Sequence, residues 1–206
     1  MQDDWNLISG LSTTEQFADI SDPDGIIIPG TLFGFGESYE QADALEPGKA
    51  YWLRTTGAGE IHLGSTRGAK AVSPFVQPEN INSIIVKGMT LYFGQNIDVT
   101  QSLSYGLPPK PPAPSTDIRF TGDTRICISD ECMIEVMNAG SPLTFEIDIK
   151  DGDNWEIVDK SGNVFECSNL QVLELSDETT QVILRKSISL PIPTEFALFP
   201  AYPNPF

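Results

Sequence analysis

His62 is the single histidine in a chain of 206 residues, and imidazole is the side chain best suited to moving protons near neutral pH. It sits in Glu60-Ile61-His62-Leu63, where strand alternation puts Ile61 and Leu63 on one face and Glu60 and His62 on the other. A general base needs a positioned partner and a nucleophile or water. No neighbouring motif supplies them, so His62 reads as a solvent-facing strand residue. Carboxylates are plentiful, with 29 Asp and Glu against 12 Lys and Arg. Glycosidases use two of them across a cleft, but an acidic chain offers many pairs and no cleft is legible. No catalytic residue is assigned, and the chain reads as non-enzymatic.

Asp148, Asp151 and Asp153, with Asn154, gather the hard oxygen ligands that Ca²⁺ prefers. Their spacing departs from the EF-hand loop, and Asp, Asn and Gly also serve ordinary turns. Asp22 and Asp24 around Pro23 form a second candidate of the same kind. Calcium is the one cofactor considered, because three cysteines and one histidine do not reach zinc-ligand spacing. Trp5, Trp52 and Trp155, with Tyr39, Tyr51 and Tyr92, could stack on sugar rings. Trp52, Tyr51 and Trp155 are the ligand-binding candidates of this set. Tyr51 and Trp52 are adjacent, so in a strand they point to opposite faces, one into a core and the other outward or under a loop.

Cys127 and Cys132 flank Ile128-Ser129-Asp130-Glu131. If Ser129-Asp130 is a two-residue hairpin turn, Ile128 faces Glu131 and Cys127 faces Cys132. That pair would be a non-hydrogen-bonded one, near enough for a disulfide. Three buried free thiols are the alternative, and Cys132 with Cys167 is a further bridge.

The elements that would carry these residues are strands. Before residue 107, residues 6–9, 31–35, 50–54, 60–63, 82–86 and 90–93 alternate or form short apolar runs, punctuated by Gly and Pro. Ser12-Thr13-Thr14-Glu15 reads as a capping box for one short helix through Phe17 and Ala18, ended by Asp22-Pro23-Asp24-Gly25. Leu107-Pro108-Pro109-Lys110-Pro111-Pro112-Ala113-Pro114 reads as a stiff extended linker. Beyond it, residues 117–120, 125–128, 133–137, 143–149, 155–158, 164–167, 171–175 and 181–186 read as strands. The expected fold is all-β: two tandem β-sandwich-like modules joined by a Pro-rich linker, with at most one short helix. The divisions are a β-rich module at 1–106, the linker at 107–116, an Ig-like sandwich at 117–190 and a Pro-rich tail at 191–206.

The net charge is −17, and the acidity is shared by both sides of the Pro-rich segment. Nucleic acid and anionic lipid both need a basic footprint, so neither is an expected partner. No apolar run approaches the roughly 20 residues of a membrane span. Met1-Gln2-Asp3-Asp4 opens without a basic or apolar leader. The chain then reads either as cytosolic or, as its abrupt start and end favour, as an excised piece of a longer exported protein.

The final residues run Phe196-Ala197-Leu198-Phe199-Pro200-Ala201-Tyr202-Pro203-Asn204-Pro205-Phe206. Phe196 and Leu198, followed by Tyr202, Pro203, Asn204, Pro205 and Phe206, resemble the opening of the C-terminal sorting domain of type IX secretion cargo. Most of that domain would lie beyond Phe206. Trp5-Asn6-Leu7-Ile8-Ser9, Gly34-Phe35 with Tyr39, and residues 45–53 are similar to a module that precedes such sorting domains in surface proteins of the Bacteroidota. That second resemblance covers about the first 65 residues and implies location, with no chemistry attached. Together they imply a secreted or cell-surface spacer or interaction module, with the secretion machinery as partner through the complete sorting domain. The alternatives are a carbohydrate-binding accessory module or a self-assembling surface-fibre subunit whose Pro-rich tail mediates self-association.

Overall fold

The computed structural model describes residues 1–64, 72–140, 142–175 and 180–187. The tail at 191–206, including the export-like residues Phe196, Leu198 and Tyr202 to Phe206, lies outside the described residues. Alternating side chains set most of the strands. The first group is β1 (Asp4–Ser9), β2 (Glu15–Gln16), β3 (Phe33–Phe35), β4 (Tyr39–Gln41), β5 (Ala44–Leu45), β6 (Ala50–Thr55), β7 (Asn82–Val86) and β8 (Met89–Phe93). A short helix α1 (Val99–Ser102) runs into a 3-10 turn at Leu103–Tyr105. The second group is β9 (Asp117–Phe120), β10 (Ile126–Cys127), β11 (Glu131–Met137), β12 (Leu143–Asp148), β13 (Trp155–Asp159), β14 (Val164–Cys167), β15 (Gln171–Leu175) and β16 (Gln181–Lys186). The fold is all-β, as expected.

Two five-stranded sheets, in the orders β10-β8-β7-β12-β15 and β14-β13-β16-β11-β9, face each other as a sandwich. Ile84, Val86, Leu91, Phe93, Phe145 and Ile147 from one sheet meet Ile118, Phe120, Ile134, Trp155, Ile157 and Leu184 from the other in one core. From β12 to β16 the chain alternates between the sheets, with β13 and β14 forming a hairpin. β7 and β8 are joined by Lys87-Gly88, both at positive φ (48° and 81°). That is the two-residue turn whose twist matches a hairpin.

A four-stranded sheet, β1-β6-β3-β4, lies beside the sandwich. Strand β6 buries both faces. Tyr51 and Leu53 enter a small cluster with Ile20, Ile27, Leu32 and Leu45, while Trp52 and its cross-strand neighbour Phe33 pack on the sandwich core.

The division expected at 107–116 is corrected by this pairing. β7 and β8 precede the Pro-rich segment, yet Val86, Ile85, Ile84 and Ser83 pair with β12, and Tyr92 and Phe93 pair with β10. The segment therefore runs within the sandwich instead of joining two units, and the sandwich begins at β7 instead of 117. Proline removes a backbone donor but leaves the carbonyl, and the carbonyls here are anchored. Arg119 Nη1 donates to Pro108 O at 2.8 Å and the Tyr39 hydroxyl donates to Pro109 O at 2.8 Å. Leu107 is buried in the core. Arg119 itself is fully buried, with Nε and Nη2 on the two carboxylate oxygens of Asp117 at 2.5 and 2.7 Å and Nη1 on Asp123 at 2.9 Å.

The helix expected after Ser12 is also corrected. Glu15 and Gln16 form β2 against β5, followed by a 3-10 turn at Phe17–Asp19. The Glu15 carboxylate does not cap its own segment; it accepts from Gly64 N, 49 residues away, at 2.7 and 2.8 Å. The helix forms instead at Val99, where the Asp98 side chain accepts from Gln101 N.

Two outcomes follow. Residues 117–187 expressed alone lack the two strands that complete one sheet, so they should show no cooperative urea transition, whereas the full chain should. Arg119→Met strands the buried Asp117 carboxylate and frees the Pro108 carbonyl. It should lower unfolding free energy by about 3–5 kcal/mol, measured by urea denaturation followed by tryptophan fluorescence.

Candidate functional site

The three aromatic candidates do not share an exposed face, which corrects the sugar-stacking expectation. Trp155 is 3% exposed, edge-on to Phe93 at 4.9 Å between ring centres. Tyr51 is buried in the small cluster, and its hydroxyl accepts from Glu46 N at 3.0 Å. Trp52 points the other way, as alternation requires, but that face is covered by the sandwich. Placing both faces of β6 against cores uses both rings for packing. Trp5 beside it lies 6.1 Å from Phe33, with the Arg54 guanidinium 5.7 Å above its ring.

The acidic candidates are likewise committed. Asp151 Oδ2 accepts from Asn82 Nδ2 at 2.7 Å and from the Trp155 indole at 3.1 Å, and its Oδ1 accepts from Asp153 N at 2.9 Å. Asn82 Oδ1 in turn accepts from Lys150 N and Asp151 N at 2.7 and 3.0 Å. Asp148 pairs with Lys150 at 3.1 Å and Asp153 with Lys186 at 2.5 Å. Among the described residues, no group of three or more His, Cys, Asp or Glu side chains is placed to hold a metal. Asp148, Asp151 and Asp153 thus serve the β12–β13 connection and the strand beside it rather than a calcium ion. Gly94 completes this corner. Its φ is +78°, and a Cβ there would collide with the Asn82 amide and the Asp151 carboxylate. Asp22 is used the same way, its two oxygens accepting from Ile26 N and Ile27 N at 2.9 and 3.0 Å. Asp24 accepts from Glu60 N at 2.9 Å. His62 is exposed and bridges Ser21 through its main chain.

Cys127 and Cys132 are bonded, with Cα atoms 5.9 Å apart. The geometry differs from a hairpin. Cys127 ends β10 in one sheet, and Cys132 lies in β11 of the other, so the bridge clasps the corner where the chain changes sheets. Cys132 and Cys167 cannot bridge, because β16 and β13 separate β11 from β14. Three strand spacings amount to about 14 Å. Cys167 is a free, partly buried thiol. Burial, aided by the Glu156 carboxylate, pushes it up to about 12.

Two openings have polar linings of interest. The larger, 610 Å³, is bordered by Asp130, Glu131, Glu156, Arg185, Lys186 and Ser187. Its two cations are paired, Arg185 with Glu156 and Lys186 with Asp153. The smaller, 220 Å³, has Tyr105, Ser104, Phe75, Ile97 and three prolines in its wall. Tyr105 and its neighbours were not singled out by sequence. Asp98 as a helix cap was the available signal, since a helix begun there sets Gln101, Ser104 and Tyr105 on one side. Arg119 and Arg125, both buried, gave no signal in composition.

No family model matches the chain, and no match is found among curated proteins or solved structures.

The cysteines give a direct test. Native protein at pH 8 should show no thiol reactive to Ellman's reagent, unfolded protein should show one, and unfolded, reduced protein three. An unfolded thiol ionises near 9, whereas the native one holds its proton to about 12. This group therefore costs no stability below that window and progressively more across it as pH rises. Cys167→Ala should flatten the loss of stability between those limits, measured by urea midpoints.

Proposed function

We propose that this chain is a non-enzymatic extracellular module of a secreted or surface-attached bacterial protein, holding a neighbouring part of that protein at a fixed position beside its secretion sorting signal. The observation that carries the reading is the Cys127–Cys132 bridge between the two sheets, since structural disulfides persist in oxidising compartments and are rare in the cytosol. The resemblance of Phe196, Leu198 and Tyr202 to Phe206 to the start of a type IX sorting domain supports the same location. The aromatic and acidic side chains that sequence offered for chemistry serve packing, turns and ion pairs, which suits a scaffold.

Rigidity is what such a module contributes. Tyr39 and Arg119 tie the four-stranded sheet and the Pro-rich segment to the sandwich. Arg125 adds a third tie, its Nη1 on Gln41 Oε1 at 3.0 Å and its guanidinium 5.1 Å above the Phe33 ring. A seam fixed at several buried points transmits position, where a flexible linker would average it away. The excess of acidic side chains keeps the surface repulsive towards nucleic acid and anionic lipid.

The test is fractionation of the native organism with an antibody to this chain. The protein should be found at the cell surface or in the medium with Cys127 and Cys132 oxidised, and deleting the parent protein from residue 196 onward should retain it inside the cell. Cytoplasmic protein with both cysteines reduced would overturn the reading.

A further inference from the structure

Strand β1 is the outer strand of the four-stranded sheet. It pairs with β6 on one side and, among the described residues, with no strand on the other. The ladder fixes which of its backbone groups are used. Gly10 N donates to Lys49 O at 3.2 Å, and the same register sets Ile8 opposite Tyr51, Asn6 opposite Leu53 and Asp4 opposite Thr55. Hydrogen-bonded pairs alternate along an antiparallel ladder, so these residues turn their N–H and C=O groups towards β6. Trp5, Leu7 and Ser9 turn theirs away from the sheet. The Leu7 side chain is 63% exposed, so the neighbouring sandwich does not cover this flank.

Open edges are ordinarily protected by charge, proline, short length or a cover. The other edges of the larger sheets follow that rule. β4, β14 and β15 carry Glu40, Glu166 and Glu174. β9 is buried beneath the Pro-rich segment, and β10 is two residues long. β1 has six residues, no proline and one charge, Asp4 at its first position. Arg54 pairs with that carboxylate at 2.7 Å. On a chain of net charge −17, the edge from Trp5 to Ser9 is a neutral stretch.

We propose that β1 is a strand-addition site whose occupant is β1 of a second copy of this chain, paired antiparallel about a two-fold axis. Such an axis brings the same surface of each copy together. The register that uses all three outward-facing residues places Leu7 opposite Leu7, Trp5 opposite Ser9 and Asn6 opposite Ile8. The exposed Leu7 side chain is then covered by its own counterpart. The same register keeps the acids apart. Asp4 falls opposite Gly10, so the two Asp4 residues lie about 20 Å from each other along the strands. That exceeds twice the screening length of about 8 Å at physiological ionic strength. A parallel arrangement in register would set Asp4 beside Asp4. An unrelated extended peptide would meet the same backbone groups, but the second copy also supplies an apolar residue opposite Leu7 and neutral residues opposite the acid. One strand pair is small beside a standard interface of roughly 1,600 Å², and the remaining acidic surface repels, so the dimer is weak and strengthened by salt. The inference goes beyond the export reading and does not rest on it.

The test is sedimentation velocity of the full chain from micromolar to millimolar concentration, at about 0.05 and 0.5 M salt. Dimer should appear towards the millimolar end and be more abundant at the higher salt. Leu7→Lys sets two ammonium groups opposite each other at an exposed position. It should weaken dimerisation about tenfold without altering the melting temperature. In a Cys167→Ala background, Leu7→Cys should cross-link to its own copy under mild oxidation, because opposed Cα atoms of a hydrogen-bonded pair lie about 5.5 Å apart. Ser9→Cys, exposed on the same edge, should not, because its counterpart lies about 13 Å along the strands. Monomer at every concentration and salt, a dimer that Leu7→Lys leaves intact, or cross-linking of Ser9→Cys as fast as Leu7→Cys would each overturn the proposal, the second moving the contact to another face.

Discussion

Taking a guanidinium out of water is costly unless its donors are met elsewhere, and Arg119 is wholly out of water. Its partners are the Asp117 carboxylate, the Pro108 carbonyl and Asp123. Those partners fix the course of the chain. Asp117 and Arg119 stand two apart in β9, so both side chains project to the same side of that edge strand. The side they choose is the one the Pro-rich segment must cross, and Tyr39 meets the same segment one residue further on. Burial raises the cost of leaving this pair incomplete far above that of a surface ion pair, which is worth about 0–1 kcal/mol. Lys49–Glu46 and Lys150–Asp148 belong to that weaker, exposed kind. The buried pair, with the Pro108 carbonyl, therefore outweighs them in deciding how the amino-terminal sheet sits on the sandwich.

The strands were legible because alternation and burial are the same signal. Val164–Cys167, Gln171–Leu175 and Gln181–Lys186 begin and end where periodicity and Gly-rich turns place them. The strands β2, β4 and β5 were not read, being two or three residues long and too short to display a period. The false helix after Ser12 and the overlooked one after Asp98 share a cause. A cap residue shows what a terminus would use, but tertiary partners decide whether the terminus exists. Glu15 found a better donor set in Gly64 than in its own turn. The Pro-rich segment misled for a related reason: proline composition predicts extended, ladder-free backbone, and that is equally true of a free linker and of a strap held by its carbonyls.

The candidate site was less legible than the fold. The opposite orientation of Tyr51 and Trp52 followed from strand geometry, but whether a strand is covered on one face or two depends on which sheets meet. No local pattern reports that. The cysteine spacing pointed to a bridge that does form, although as a clasp between sheets and not across a hairpin. Asp151 looked like an ion ligand because turns and ion loops draw on the same residues. Its actual role became visible only with Asn82, some seventy residues earlier in the chain, beside it.

Hydrophobic alternation says which face of a strand is inward, but many strands here carry interchangeable Ile, Val and Leu, so it cannot choose among partners. The buried polar groups supply that choice at two regions of the sandwich. At one, Asn82 in β7 reaches the β12–β13 connection and Asp151 binds the indole of β13, which links strands of opposite sheets through a corner that tolerates only glycine at position 94. At the other, Arg119 and Arg125 join β9 and the approach to β10 to the Pro-rich segment and to β4. A shifted register would leave the Asn82 amide, the Asp117 or Asp151 carboxylate or the Arg119 guanidinium buried without a partner, at several kcal/mol each. Competing arrangements with equally good apolar burial are thereby disfavoured, and the native pairing is separated from them by polar matching more than by the amount of surface buried.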